Sequence, residues 1–420
     1  MNSGKNRNVL TSILVLVAGV IAGSVAGAVT DTDLDAKAVA LNKKLLNVDT
    51  HTDVLIPATP ERYWAPGHTS RTDVDKLDLG SVDVVALAIA VGPGPRDAAG
   101  IAAARAEANA RLDTIQKLVK DHSDRLSIAL TADDIDRIHK QGRIAVIESF
   151  LNARSLGKDV GGIDEFYKAG VRVFGLTHAG NNDFADSSRP SHGEGEEHHG
   201  LSPLGKQAIA RLNQLGVIVD VSQLTPAGVF QVLQITKAPV IASHSDVRAL
   251  IENTRNLSDK ELDAIAKNGG VVSVTPFNAY LAKVPPSFEP TARTLRTKYG
   301  LKADHSAGAY TEGYDTLPEK QQGEFLDAYQ AVYPKAKLSD YVDHIDYLVK
   351  RIGVEHVGIG SDFNHGSGIE GFNDEGDANN VTRELLRRGY TEDQIAKIWG
   401  GNFVRVFRQV EVVAKTSRPS

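Results

Sequence analysis

The sequence predicts a (β/α)8 TIM-like barrel, a closed parallel α/β fold, with an insertion before the eighth strand. Three observations carry this prediction. Short β-branched runs alternate with longer amphipathic ones over most of the chain, eight such short runs can be counted, and five of them end in residues able to bind metal or move protons. Continuous apolar runs suit parallel strands buried on both faces. Strand–helix alternation repeated eight times closes most simply into a barrel. An open doubly wound sheet is the alternative, but no Gly-x-Gly-x-x-Gly follows the first run to support a nucleotide-binding version.

Taken in order, the strand-like runs are 46–53, 84–91, 143–148, 171–178, 217–222, 239–244, 270–276 and 356–362. Between them, 98–121, 203–215, 226–235, 259–267, 341–352 and 391–407 carry strong helix formers with apolar residues at three- and four-residue spacing. Pro203 and Pro226 fall where a first helical turn tolerates proline. Two segments break the alternation. Residues 181–200 are polar and Gly-rich, and 283–339 form an insertion rich in Pro, Tyr and Lys, with helical character around 319–332. Long connections in barrels usually shape the mouth of the active site.

The N-terminus reads as a processing signal. Lys5 and Arg7 precede a charge-free stretch with an apolar centre, and Ala26-Gly27-Ala28 offers the small residues at which a signal peptidase cuts. The expected organisation is therefore a signal peptide over 1–28 and a single barrel domain over 29–420, secreted or periplasmic. The rival is an uncleaved anchor that would keep the protein on a membrane, since Gly19, Gly23 and Gly27 have the spacing of a helix-dimerisation face. The 41% hydrophobic and 24% charged content is that of a soluble globular domain. A net charge of −6 without a basic run argues against nucleic-acid binding, and the absence of cysteine excludes disulfides, lipidated cysteine and thiolate metal sites.

Catalytic groups of such barrels sit at the C-terminal ends of strands. The first run ends in Asp49-Thr50-His51-Thr52-Asp53, the third in Glu148, the fourth in His178, the sixth in His244 and the eighth in Asp362. Singly, each is more simply a polar strand cap; five on one side of a sheet are harder to explain so. His51 and Asp53, two apart, share a face and can grip one divalent ion. Glu148 ends the apolar run IAVIE, where a buried carboxylate is costly unless a cation neutralises it, and a carboxylate can bridge two ions. His244 is suited to a second ion, and Asp362 to act as base for a metal-bound water.

The segments VDTHTD, AVIES, GLTHAGNND, GLSPLGKQAIARLNQLGVIVDVS, APVIASHSDVR, NTRNLSD and HVGIGSDFN follow one another in an order that resembles the membrane dipeptidases, the renal dipeptidase family of zinc-dependent amidohydrolase-like barrels. The resemblance runs from about Asn47 to GGNFVRVF near the C-terminus. It implies that His51 and Asp53 hold a first zinc, Glu148 bridges to a second, and His244 binds that second ion. It further implies that His178 stabilises the oxyanion, Arg255 clamps a substrate carboxylate, and Asp362 passes the proton to the leaving amine. A small peptide-like substrate and, by family habit, a homodimer complete the expectation.

Two departures qualify it. Where the family carries Asp-x-Ser-His, this chain has Asp220-Val221-Ser222-Gln223, and a carboxamide is a poor zinc ligand beside an imidazole. One zinc firmly bound, with a second weak or absent, is therefore expected. After Asp362 stands Phe363-Asn364-His365-Gly366 in place of the usual Phe-Asp-Gly. His365 is either a replacement ligand or, more simply, a solvent-facing loop residue. His192, His198 and His199, set among glutamates and glycines, read as a solvated loop rather than a metal cluster. Three functions remain open: a metallopeptidase hydrolysing dipeptides or small amides with a free C-terminal carboxylate; a family member retuned for maturation of a secreted peptide natural product such as a siderophore; and a non-hydrolytic binding homologue. The retained Glu148, His178, Arg255 and Asp362 weigh against the last.

Overall fold

A computed structural model describes residues 31–189, 195–305 and 310–417; the expected signal segment lies outside them. Among the described residues no helix is long and apolar enough to cross a membrane. All strand pairings are parallel, and eight strands follow one another around the sheet: β1 Val48–Asp53, β2 Val84–Ala90, β4 Ile144–Leu151, β5 Val173–Gly175, β6 Ile218–Asp220, β7 Ile241–Ala242, β8 Val271–Val274 and β9 Val357–Ile359. They fall within the eight runs expected from sequence, apart from β4, which runs on past Glu148.

The ninth strand, β3 Leu126–Ile128, has no counterpart in the expectation. It pairs with the first residues of β4, below the level at which β5 joins β4 at Ser149. The barrel closes between β1 and the residues just after β9. Asp362 N donates to His51 O at 2.7 Å and Asp53 N to Phe363 O at 3.0 Å, while Ser361 N and Oγ bond the buried Asp49 carboxylate at 2.8 and 2.7 Å.

Side chains alternate across each strand, so one set faces the barrel axis and the other the surrounding helices. Val84, Ala86, Ala145, Ile147, Val173, Ile218, Ile241 and Val271 form the axial core. Phe403, Phe407 and Val410 of the last helix, Asn402–Ser417, belong to that same core and plug the N-terminal end. Gly400 sits where this helix meets β1, and a Cβ there would lie 2.2 Å from Leu46 O. The helices Ala98–Asp121, Pro203–Leu215, Pro226–Ile235 and Asp259–Lys267 have the bounds expected. Their starts are fixed chemically: Asp97, Ser202 and Thr225 each cap with a side-chain oxygen, and Ser258 with Glu261 makes a capping box. The insertion carries helices Phe288–Lys298 and Glu319–Val332 and leans over the C-terminal end of the barrel, where Tyr329 and Tyr333 face a cavity.

Candidate active site

At the end of β1 the pairing with β2 shifts register between Asp49 and Thr52. His51 and Asp53 stand beside Asp362, which follows β9 and holds a left-handed φ of 50°. His51 Nε2 is 3.5 Å from Asp53 Oδ1 and 3.8 Å from Asp362 Oδ1. All three side chains are buried, and His51 Nδ1, His51 Nε2 and Asp53 Oδ1 have no hydrogen-bond partner. Ligand atoms of His51, His244 and Asp362 also lie within 4.8 Å of one another. Unsatisfied buried donors and carboxylates are expensive unless something absent from the protein chain satisfies them. His51, Asp53 and Asp362 offer the donor types that hold a divalent ion, with His51 Nε2 near both carboxylates. Burial raises the Asp362 carboxyl above the usual carboxylate range. Burial acts the same way on Asp53, but His365 and His51 beside it outweigh it and hold that carboxyl well below the range.

The opposite side of the mouth, built by β6 and β7, is complete without any ion. Ser243 Oγ donates to Asp220 Oδ2 and so accepts from His244 Nδ1 at 2.7 Å. That assigns the proton to Nδ1 and leaves His244 Nε2 as an acceptor, which Gln223 Nε2 approaches at 3.0 Å. The carboxamide cannot be turned round, because Arg189 Nη2 donates to Gln223 Oε1 at 3.1 Å and would otherwise face another donor. Gln223 holds a φ of 70°, a left-handed conformation costly for a non-glycine residue. The lone pair that would bind a second ion is therefore taken, and the Gln223 oxygen faces a guanidinium. The second metal position does not fit an ion.

Glu148 requires a correction. It lies inside β4, not at its end, and strand alternation turns it outward because Ala145 and Ile147 face the axis. Its Oε1 accepts from Gln116 Nε2, on the helix outside the barrel, at 3.3 Å. Gly170 (φ 132°) provides the room, since a Cβ there would lie 2.1 Å from Glu148 Oε2. Burial pushes the Glu148 carboxyl up to about 7. At the top of β4 the inward position belongs to Leu151, packed with Ala88 and Ala90. Glu148 thus bridges no ions.

His178 is buried after β5, with Nδ1 unpartnered and its basicity driven well down by burial and by neighbouring His365 and Arg189, so its ring is neutral. His365 is not the solvent-facing residue that the simpler reading made it. Its Nδ1 is 2.9 Å from Asp53 Oδ2, and its ring stacks on Tyr63 at 5.2 Å and meets the His178 edge at 4.8 Å. Asn364 fixes the turn that brings it there, donating to Asp53 O at 2.9 Å and accepting from Arg71 N at 2.8 Å. In the 181–200 loop, His192 lies outside the described residues, His199 is exposed, and His198 bonds the Asn182 carbonyl at 2.8 Å. Arg255 is 3% exposed, bonds His244 O at 2.9 Å and lies 5.2 Å over the Tyr280 ring.

Above this centre lies a cavity of about 650 Å³, walled by aromatic rings that include Tyr63, Tyr280, Tyr314 and Tyr333. Arg189 and His365 line it, whereas His51, Asp53, His178, His244, Arg255 and Asp362 do not. The buried centre is thus one layer beneath the cavity floor. No residue pattern marks Arg189, which lies in a loop that reads only as a polar connection.

A profile of the membrane dipeptidase family (peptidase family M19) matches residues 35–420. The chain belongs to the membrane dipeptidase family. Dipeptidase tcpJ of Claviceps purpurea is 30% identical over 73% of this chain, and dipeptidase verJ of Clonostachys rogersoniana 31% identical over 72%. The chain spans 61% and 65% of the length of those two fungal relatives. The crystal structure of the probable dipeptidase PvdM from Pseudomonas aeruginosa is 36% identical and superposes with a TM-score of 0.83, covering 91% of this chain and 100% of that one. A Rhodobacter sphaeroides metallopeptidase bound to a phosphinate mimic of L-Ala-D-Ala shares the fold, at 21% identity and a TM-score of 0.67 over 87% of this chain and 99% of that one.

Proposed function

We propose that this dipeptidase-family chain is an exported hydrolase that cleaves an amide in a small peptide-like substrate carrying a free carboxylate, using one zinc ion at His51, Asp53 and Asp362. The observation that carries the reading is the trio of unsatisfied buried atoms on His51 and Asp53 beside the Asp362 carboxylate. A zinc ion bound there supplies Lewis-acid activation of water at neutral pH. The chain's own groups do the rest. Asp362 takes a proton at a carboxylate oxygen and returns it to the leaving amine. His178, neutral, can donate to the oxygen on which negative charge develops. Export rests on the charge, apolar centre and Ala-x-Ala pattern of residues 1–28.

The cavity favours a second reading within the same family, a site retuned for a larger peptide-derived natural product. At about 650 Å³ it lies well within the range of roughly 300–1,000 Å³ typical of sites for drug-sized ligands. A dipeptide panel that includes C-terminal D-residues, run beside metal quantification and next to longer peptides, tests both. Hydrolysis of dipeptides with about one zinc per chain supports the first; cleavage confined to longer peptides supports the second. Protein that retains no ion at all overturns the single-zinc centre.

A further inference from the structure

The two carboxylate oxygens of Asp53 stand in different surroundings. Oδ1 is 3.5 Å from His51 Nε2 and has no hydrogen-bond partner. Oδ2 is taken, because His365 Nδ1 lies 2.9 Å from it. Asp53 is held ionised, so Nδ1 carries the proton of that contact. His365 is itself fixed in place. Its ring stacks on Tyr63 at 5.2 Å, with the planes 8° apart, and meets the His178 edge at 4.8 Å. The residue before it ties the turn to the same strand end. Asn364 donates to the Asp53 carbonyl at 2.9 Å and to Ser70 Oγ at 3.0 Å, and accepts from Arg71 N at 2.8 Å. Backbone and carboxylate of Asp53 are thus gripped together, by two successive residues. Carboxylates that ligate metals are oriented by hydrogen bonds from groups behind them, and His365 makes such a bond.

We propose that His365 is a positioning residue for the ion: by bonding Asp53 Oδ2 it presents Asp53 Oδ1 beside His51, without ligating the ion itself. The inference rests on the single-ion centre proposed above, but it concerns metal affinity and does not require turnover. Tyr63 has a part in it, since its ring face keeps the imidazole in line with the carboxylate. His365 also lines the cavity, so one ring joins the cavity floor to the buried centre beneath.

The test is competition for zinc between the protein and a fluorescent chelator, at one pH, on the wild type, His365→Leu and His365→Asn. Leucine removes the donor at similar size, whereas an asparagine amide can stand near the place of Nδ1 and donate instead. His365→Leu should bind zinc about tenfold to a hundredfold more weakly, and His365→Asn should recover most of that loss. X-ray absorption of the zinc-loaded proteins should count the same number of imidazole ligands in the wild type and both variants. Thermal unfolding of the metal-free proteins identifies a variant that has merely misfolded. If leucine does so, the wild type and His365→Asn still separate a positioned carboxylate from a lost ligand. Equal affinity in a folded His365→Leu, no recovery in a folded His365→Asn, or one imidazole fewer in either variant overturns the proposal. Tyr63→Ala should weaken zinc binding severalfold by freeing the ring, and unchanged affinity overturns the part given to the stack. Wild-type protein that binds no zinc overturns the centre itself; zinc held equally by the wild type and His365→Leu overturns the positioning role alone.

Discussion

The two sides of the barrel mouth solve the same problem in opposite ways. Around β1 and β9, buried imidazole nitrogens and a carboxylate oxygen stand a few ångströms apart with nothing to bond. Around β6 and β7, each polar group from Asp220 through Ser243, His244 and Gln223 to Arg189 has a partner in the next. The first side is built around something that must be supplied from outside. The second has been closed with the chain's own hydrogen bonds, and a guanidinium sits where charge from a second ion would otherwise be wanted. Family membership alone does not reveal this asymmetry, because the strands and most of the motifs are retained on both sides.

The largest effect should come from breaking the open side. Asp53→Ala is expected to drop bound metal from about one equivalent per chain to near none, with hydrolysis falling to background; elemental analysis and a peptide assay check it. Retention of a full equivalent would move the ion elsewhere. Next is Glu148→Gln, which asks whether that carboxylate belongs to the centre at all. Its pKa is raised from an unfolded value of 4.5 to about 7, so the folded state holds the proton more tightly. Stability on its account falls as pH rises between those values. Glu148→Gln should therefore stabilise the protein by about 3 kcal/mol at pH 8, with little effect near pH 4.5, and should leave metal content unchanged. Thermal unfolding at the two pH values measures it, and loss of metal would return Glu148 to the centre.

The closed side should resist simple repair. Gln223→His is expected to add no second equivalent of metal, because the Glu148 carboxylate points away from the barrel axis and Arg189 remains. It should also cost about 1–2 kcal/mol by depriving Arg189 of its acceptor. A clear rise to two equivalents would show that the hydrogen-bonded chain is no barrier. Smallest is Ser243→Ala, which cuts the link between Asp220 and His244. About 1 kcal/mol of stability should be lost, with metal content unaltered. A loss of metal there would tie the two sides together.

The sequence exposes the barrel well because buried parallel strands are apolar on both faces and helix starts carry local caps such as Asp97 and Thr225. What escapes it is non-local. Glu148 looks like the end of a run, yet Phe150 and Leu151 continue the strand, and only the alternation of Ala145 and Ile147 tells which way the carboxylate points. β3 is three residues long with one fully buried side chain, too short for a periodic signal. His51, Asp53 and Asp362 announce themselves at strand ends, whereas the Arg189–Gln223 pair joins two irregular segments 34 residues apart. His365 reaches Asp53 through a turn at Asn364 whose φ of 64° no residue pattern advertises.

The closure of the barrel also sets the order in which the molecule can be made. Thr50 bonds Ile359 O and Asp49 bonds Ser361, contacts between residues 309 and 312 apart in sequence, and the plug beneath them comes from the final helix. None of these can form while the C-terminal residues are still being synthesised. Contacts of such separation also pay their loop-closure entropy before they return any stability. The first strand must therefore wait, unpaired on one edge, until the last has been delivered. In a growing chain His51 and Asp53, the proposed metal ligands of β1, are among the first made, and Asp362, proposed to complete their site, is among the last.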